Sequence, residues 1–192
     1  NIQTLDDLSG HTVSIGAEES GTERNATQIL EFAGMPSSLV ATKNLDYIEA
    51  TKELKAGDID AFFCTAGLTT TVIDELSKEC DIRLIPLTDT VISKMLESSL
   101  AYTSEVIPAG TYTGQTTDIS TIGVKSVLIT KADVSDDTIE QLTSLLFEKE
   151  NEISYSNSLK LELTYDFATD DIPIPFHDGA KRYYKACGYS TN

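Results

Sequence analysis

The sequence predicts an α/β fold with a mainly parallel sheet flanked by helices. Short apolar runs, Thr12 to Ile15, Leu39 to Thr42, Asp60 to Cys64 and Ile82 to Pro86, alternate with amphipathic stretches of helical period. Small residues follow the first and third of these runs, as they do where a parallel strand turns into its crossover helix. At 40% hydrophobic content, 192 residues are enough to bury one full core or two small ones.

The elements follow in order. Thr4 caps a short turn that brings Leu5 and Leu8 back onto the first strand. That strand stops at Gly16, and Gly21 gives a second point of backbone freedom. Ser20 or Thr22 caps a helix running to about Ala33, with Ile29, Leu30 and Ala33 on its apolar face; Gly34 and Pro36 end it. A helix from about Asp46 to Ala56 is expected to turn Ile48, Thr51 and Leu54 inward and to close at Gly57. After the strand at Asp60 to Cys64, Thr65-Ala66-Gly67 repeats the small-residue turn, and a helix starts near Thr69 with Val72, Ile73 and Leu76 inward. The fourth strand leads to a helix capped by Thr88 or Asp89, burying Val91, Ile92, Met95 and Leu96.

Beyond Leu100 the pattern changes. Ala101 to Gln115 reads as an irregular crossing segment and Thr121 to Thr130 as a long strand. Ser135 caps a helix with Ile139, Leu142, Leu145 and Leu146 on one face and acids in its first turn. Asn151 to Leu163 is expected to be partly helical, Ile172 to Pro175 extended, and a last helix runs from about Asp178 to Cys187, ending at Gly188. The domain reading is residues 1–110 as an α/β unit and 111–192 as crossing segment, strand and C-terminal helices.

A formal charge of −17 opposes phosphate backbones and anionic lipid heads, which argues against nucleic acid as a partner. An anionic ligand must then be held by local dipoles, which act at contact distance while the global field is screened over about 8 Å. No apolar run approaches the about 20 residues of a membrane span. Cys64, Cys80 and Cys187 have neither metal-ligand spacing nor an even count, and Cys64 reads as a small buried hydrophobe.

The strand, loop and helix start around Ser20-Gly21-Thr22 make a ready anion site, since unpaired N–H groups and the positive end of the helix dipole favour a carboxylate or phosphate. It is not a P-loop: Thr22 and Glu23 stand where Lys and Ser/Thr are needed. Ligands in parallel sheets sit at the carboxyl ends of strands, so this loop and the Thr65 loop are expected to meet there. Ala17, Ser20, Gly21 and Thr22 are the candidates on the first loop. On the second they are Thr65 as a hydrogen-bond donor, with Ala66 and Gly67 leaving room for close approach. Phe62 and Phe63 point to opposite faces of the strand; one belongs to the core and Phe63 is the pocket candidate. Tyr112, in a polar segment, is a further cleft candidate, and Glu23 serves equally as helix-capping acid or ligand contact.

Catalytic signatures are not found. Glu18-Glu19 and Asp170-Asp171 read as solvated loop charges, and His11 and His177 are isolated. Ser20 lacks the G-x-S-x-G elbow of a hydrolase nucleophile. The reading assigns no catalytic residue, no metal and no cofactor.

Four runs carry a family likeness: Gly16 to Ala26; Leu54 to Phe63 followed by Ala66-Gly67; Ile107 to Tyr112 with Gly114-Gln115; and Ile172 to His177 with Gly179-Ala180 and Tyr183-Tyr184. In this order the chain resembles the TAXI family of TRAP-transporter solute receptors. The resemblance implies a type II periplasmic-binding-protein-like fold, with residues 1–110 as lobe two and 111–192 belonging with a lobe one whose N-terminal part, together with any export signal, is expected outside this sequence. It also implies an extracytoplasmic receptor, periplasmic or lipid-anchored, that delivers a small carboxylate (glutamate, a related amino acid or a dicarboxylate) to TRAP-type membrane permease subunits. The Ser20 loop then faces the cleft, where Ser20, Thr22 and nearby amides hold the ligand carboxylate. An enzyme or an effector-binding regulatory domain on the same architecture is the alternative.

Overall fold

The computed structural model describes residues 2–149 and 163–191. The chain divides into two compact units, Asn1–Gly123 and Val124–Asn192. In the first, a parallel sheet of order β2-β1-β3 joins β1 (Thr12–Ser14), β2 (Ala41–Lys43) and β3 (Ala61–Phe62). Val13 lies opposite Thr42 on one side and Ala61 on the other, which puts the chain leaving β1 beside the chain leaving β3.

Helix α1 (Gly21–Phe32) begins at Ser20, whose Oγ accepts the Glu23 N–H at 3.1 Å. Its inner face, Thr22, Ala26, Ile29 and Leu30, follows the helical period, and Ala26, Ile29 and Leu30 share one core with Val13 and Ile15 of the β1 strand and loop. Helix α2 (Tyr47–Ala56) starts with a capping box between Asp46 and Glu49 and stops at Gly57, whose φ of 80° is the left-handed conformation glycine adopts freely. Helix α3 (Thr71–Glu79) buries Ile73 and Leu76; α4 (Asp89–Ser98), capped by Thr88 Oγ, buries Val91, Ile92 and Met95 and packs against α1.

Several expectations are corrected. Ile48 is 77% exposed and not inward; Thr51 and Leu54 are half-buried as expected, and the place of Ile48 is taken by Tyr47, which reaches back to the site loops, and buried Ala50. Ile82 to Pro86 is not a strand: Ile85 and Leu87 pack on the core without regular structure, Leu87 N–H bonds to Ser120 O at 2.9 Å, and Pro86 has no donor for a ladder. The crossing segment holds β4 (Tyr102–Ile107), which pairs with β5 (Ile119–Val124). Its Ser104, Glu105 and Val106 all face solvent, so the alternation that announces a half-buried strand is missing. β5 stops at Val124, and Val127, Leu128 and Ile129 are exposed.

In the second unit, α5 (Asp136–Glu148), α6 (Tyr165–Thr169) and α7 (Asp178–Ala186) surround an aromatic cluster. Phe147 and Tyr165 stack at 4.5 Å, and Tyr165 and Tyr189 at 4.8 Å. α5 and α7 pack closely because Gly179 faces the Asp136 carbonyl with no Cβ between. Of the face expected on α5, Ile139 is buried and Leu142 and Leu145 are exposed. The helical expectation for Asn151 to Leu163 falls, up to its last residue, outside the described residues. Among them, no helix is long and apolar enough to cross a membrane.

Candidate functional site

The loop after β1 is held by its own polar groups. Gly16, with φ of 100°, is buried against Thr22, and its carbonyl accepts from Asn44 Nδ2 at 3.1 Å. Glu23 turns its carboxylate back over the loop, where it accepts the Glu19 N–H at 2.6 Å and Asn44 Nδ2 at 2.7 Å. With Ser20 N–H on Ala17 O and Glu23 N–H on Ser20 Oγ, part of the expected donor set is satisfied internally. The N–H groups of Gly21 and Thr22, first in the helix, have no intrahelical acceptor.

The two loops converge, and the group that joins them is one the sequence did not suggest. Tyr47, first residue of α2, places its hydroxyl 2.7 Å from Thr22 Oγ1 and donates to Thr65 O at 2.9 Å. It accepts the Thr65 N–H at 3.1 Å. A phenol has one proton; with that proton on Thr65 O, the contact to Thr22 is made by the Thr22 proton. Thr22, 6% exposed, is thereby committed to Tyr47. Among the described residues Ser20 Oγ accepts and finds no acceptor for its own proton, and Ser20 is half-buried at the loop.

Thr65, Ala66 and Gly67 are exposed beside these groups, as is Ala17. Thr65 Oγ1 accepts from Asn25 Nδ2 at 3.3 Å, and Asn25 Oδ1 accepts from Tyr102 Oη at 2.8 Å. Phe63 is half-buried and packs against the core cluster. Tyr112 is 6% exposed; its hydroxyl donates to Leu68 O and accepts the Thr70 N–H at 3.3 Å. It therefore shapes the far end of the Thr65 loop from within. Burial pushes the Tyr112 hydroxyl above its ordinary pKa, against the opposing pull of the Thr70 N–H.

The family model of the NMT1-like family matches residues 1–188. The chain belongs to the NMT1-like family. This is a periplasmic-binding-protein-like family related to the TRAP and TAXI solute receptors, and the parallel three-stranded sheet with its helices is compatible with that fold. NMT1-like membership suggests a periplasmic solute-binding role, with a small-molecule ligand and a transporter partner in general; such proteins are usually extracytoplasmic.

Burial pushes the Cys64 thiol, next to Tyr47, up to about 11, which keeps it protonated and a poor nucleophile near neutral pH. Among the described residues, no group of three or more His, Cys, Asp or Glu could hold a metal ion.

Proposed function

We propose that the protein is the ligand-binding part of an extracytoplasmic receptor of the TAXI type, taking a small carboxylate and handing it to TRAP-type permease subunits. Glutamate, a related amino acid or a dicarboxylate is the substrate class. The observation that carries the reading is the meeting of two loops at one phenol: the start of α1, with the Ser20 hydroxyl and the Gly21 and Thr22 amides, and the exposed Thr65-Ala66-Gly67 turn. Donors on both loops and a helix N-terminus favour an anion despite the acidic surface. Ala17 and Phe63 belong to the same reading as flanking backbone and apolar wall, and Tyr112 as the residue that holds the second loop.

In this reading lobe two, expected over residues 1–110, extends to Gly123, because β4 pairs with β5 and Tyr112 bonds Leu68 and Thr70, and the rest of the expected 111–192 segment goes with lobe one. The exposed run Val127, Leu128 and Ile129 supports the second assignment, because three successive exposed apolar residues call for cover. Binding acts by closure: the closed form gains contacts to the ligand that the open form lacks.

The experiment is calorimetric titration of the full-length protein with L-glutamate, for wild type and Ser20→Ala. The expected loss is about 0.5–3 kcal/mol of binding free energy. Equal affinity in the two proteins removes the loop from the site.

A further inference from the structure

We propose that Tyr102 and Asn25 are positioning residues that set the Thr65 hydroxyl as a hydrogen-bond donor toward the solute, so that the solute group seated there is an acceptor such as a carboxylate. The inference rests on the binding reading above and names how one of its loops is given polarity. Tyr102 lies on β4, 77 positions from Asn25, yet its hydroxyl is 2.8 Å from Asn25 Oδ1. A phenol donates its single proton to one acceptor, and the carboxamide oxygen is the nearest. That fixes which end of the amide faces Thr65: Nδ2, a donor with no lone pair to offer, at 3.3 Å from Oγ1. Thr65 must then accept, and its own proton points elsewhere. Thr65 is exposed, and no acceptor for that proton is found among the described residues.

The reverse chain has Asn25 turned over, with the Tyr102 proton on Gln28 Oε1. That contact is 3.3 Å, longer than the 2.8 Å to Asn25. The reversed order would spend the Thr65 proton on Asn25 and leave Thr65 facing the solute as an acceptor, which an anion cannot use. Successive hydrogen bonds of one sense also polarise each other, strengthening the terminal donor.

A double-mutant cycle on the full-length protein tests this, with L-glutamate as the probe. Thr65→Val and Tyr102→Phe are each expected to raise Kd roughly three- to tenfold. If Tyr102 acts through the Thr65 hydroxyl, Tyr102→Phe has no further effect on Kd in the Thr65→Val background. Additive losses overturn the proposal, since a purely structural role persists when the hydroxyl is gone. Unchanged affinity in Thr65→Val instead overturns the binding reading at this loop. The relay itself is read without ligand from the nitrogen-15 signals of the Asn25 side-chain amide: Tyr102→Phe is expected to shift them, and identical signals in wild type and variant overturn it.

Discussion

The Tyr47 hydroxyl stands 2.7 Å from Thr22 Oγ1 and, in the same position, bonds both backbone groups of Thr65. One side chain at the start of α2 thus ties the turn after β1 to the turn after β3. Removing only the oxygen, by Tyr47→Phe, leaves the Thr22 hydroxyl, the Thr65 N–H and the Thr65 carbonyl without this partner. Water replaces it at exposed Thr65 but poorly at buried Thr22, so the expected loss is about 1–3 kcal/mol, measured as a lower urea midpoint with an unchanged slope. An unchanged midpoint would show that the phenol is not holding the loops.

Ser20 and Thr22 differ in what they have left to give. Ser20 Oγ accepts from Glu23 N–H and keeps its proton, whereas the Thr22 proton is taken up with Tyr47. Ser20→Ala therefore loses both a cap, costing about 1 kcal/mol of stability, and a donor to the ligand. Thr22→Val keeps the shape of the buried side chain and is expected to lower thermal stability while weakening L-glutamate binding less than Ser20→Ala does. Calorimetry on both variants decides the order, and a larger binding loss at Thr22 contradicts the proton assignment.

Gly16 is the tightest backbone position of the loop. Its φ of 100° disfavours any side chain, and a Cβ there would stand 2.7 Å from Thr22 Cβ and 3.0 Å from Ser20 Oγ. Thr22 is buried and pinned by Tyr47, so it cannot move aside cheaply. Gly16→Ala is expected to cost more than about 2 kcal/mol, combining strained backbone with displaced cap. Chemical denaturation measures it; a loss under about 0.5 kcal/mol would mean that the loop is free to rearrange.

What the sequence made legible was local. Gly16, Ser20 and Gly57 announce a strand end, a helix start and a helix stop through backbone chemistry that acts within a few residues, and each stands where it was expected. The long-range pairings were not legible. Tyr47, Asn25 and Tyr102 reach the site from three elements, and their roles depend on directions set by tertiary packing. Period alone favoured Ile48 over Tyr47 as the inward residue of α2, because apolarity is visible in a sequence and a hydrogen-bond partner on another loop is not. The expected fourth strand failed for a related reason: an apolar run reports burial, and half-buried Ile85 and buried Leu87 pack on the core without joining a ladder. Tyr112 illustrates the converse, an aromatic in a polar segment that is internal and spends its hydroxyl on a neighbouring loop.

Asp60 gives the fold a pH dependence on the acid side. Its carboxylate accepts the Thr12 N–H at 2.8 Å and lies 3.1 Å from His11 Nδ1, fastening the start of β1 to the residue before β3. The Thr12 N–H first, and His11 second, hold its pKa below the ordinary 3.8 despite some desolvation. Because the folded value is lower than the unfolded one, the stabilisation is fully present above the unfolded pKa near 3.8 and drains away as pH falls through the lowered folded value. With the side chain 41% exposed, solvent and salt screen the effect, so the contribution is modest. Asp60→Asn keeps an oxygen for Thr12 but removes the titration. Its melting temperature is expected to fall less steeply than wild type as pH drops from about 4 through the lowered folded value, and the two proteins should converge only below that value. Parallel curves for the two proteins would show that another carboxylate governs the acid limb.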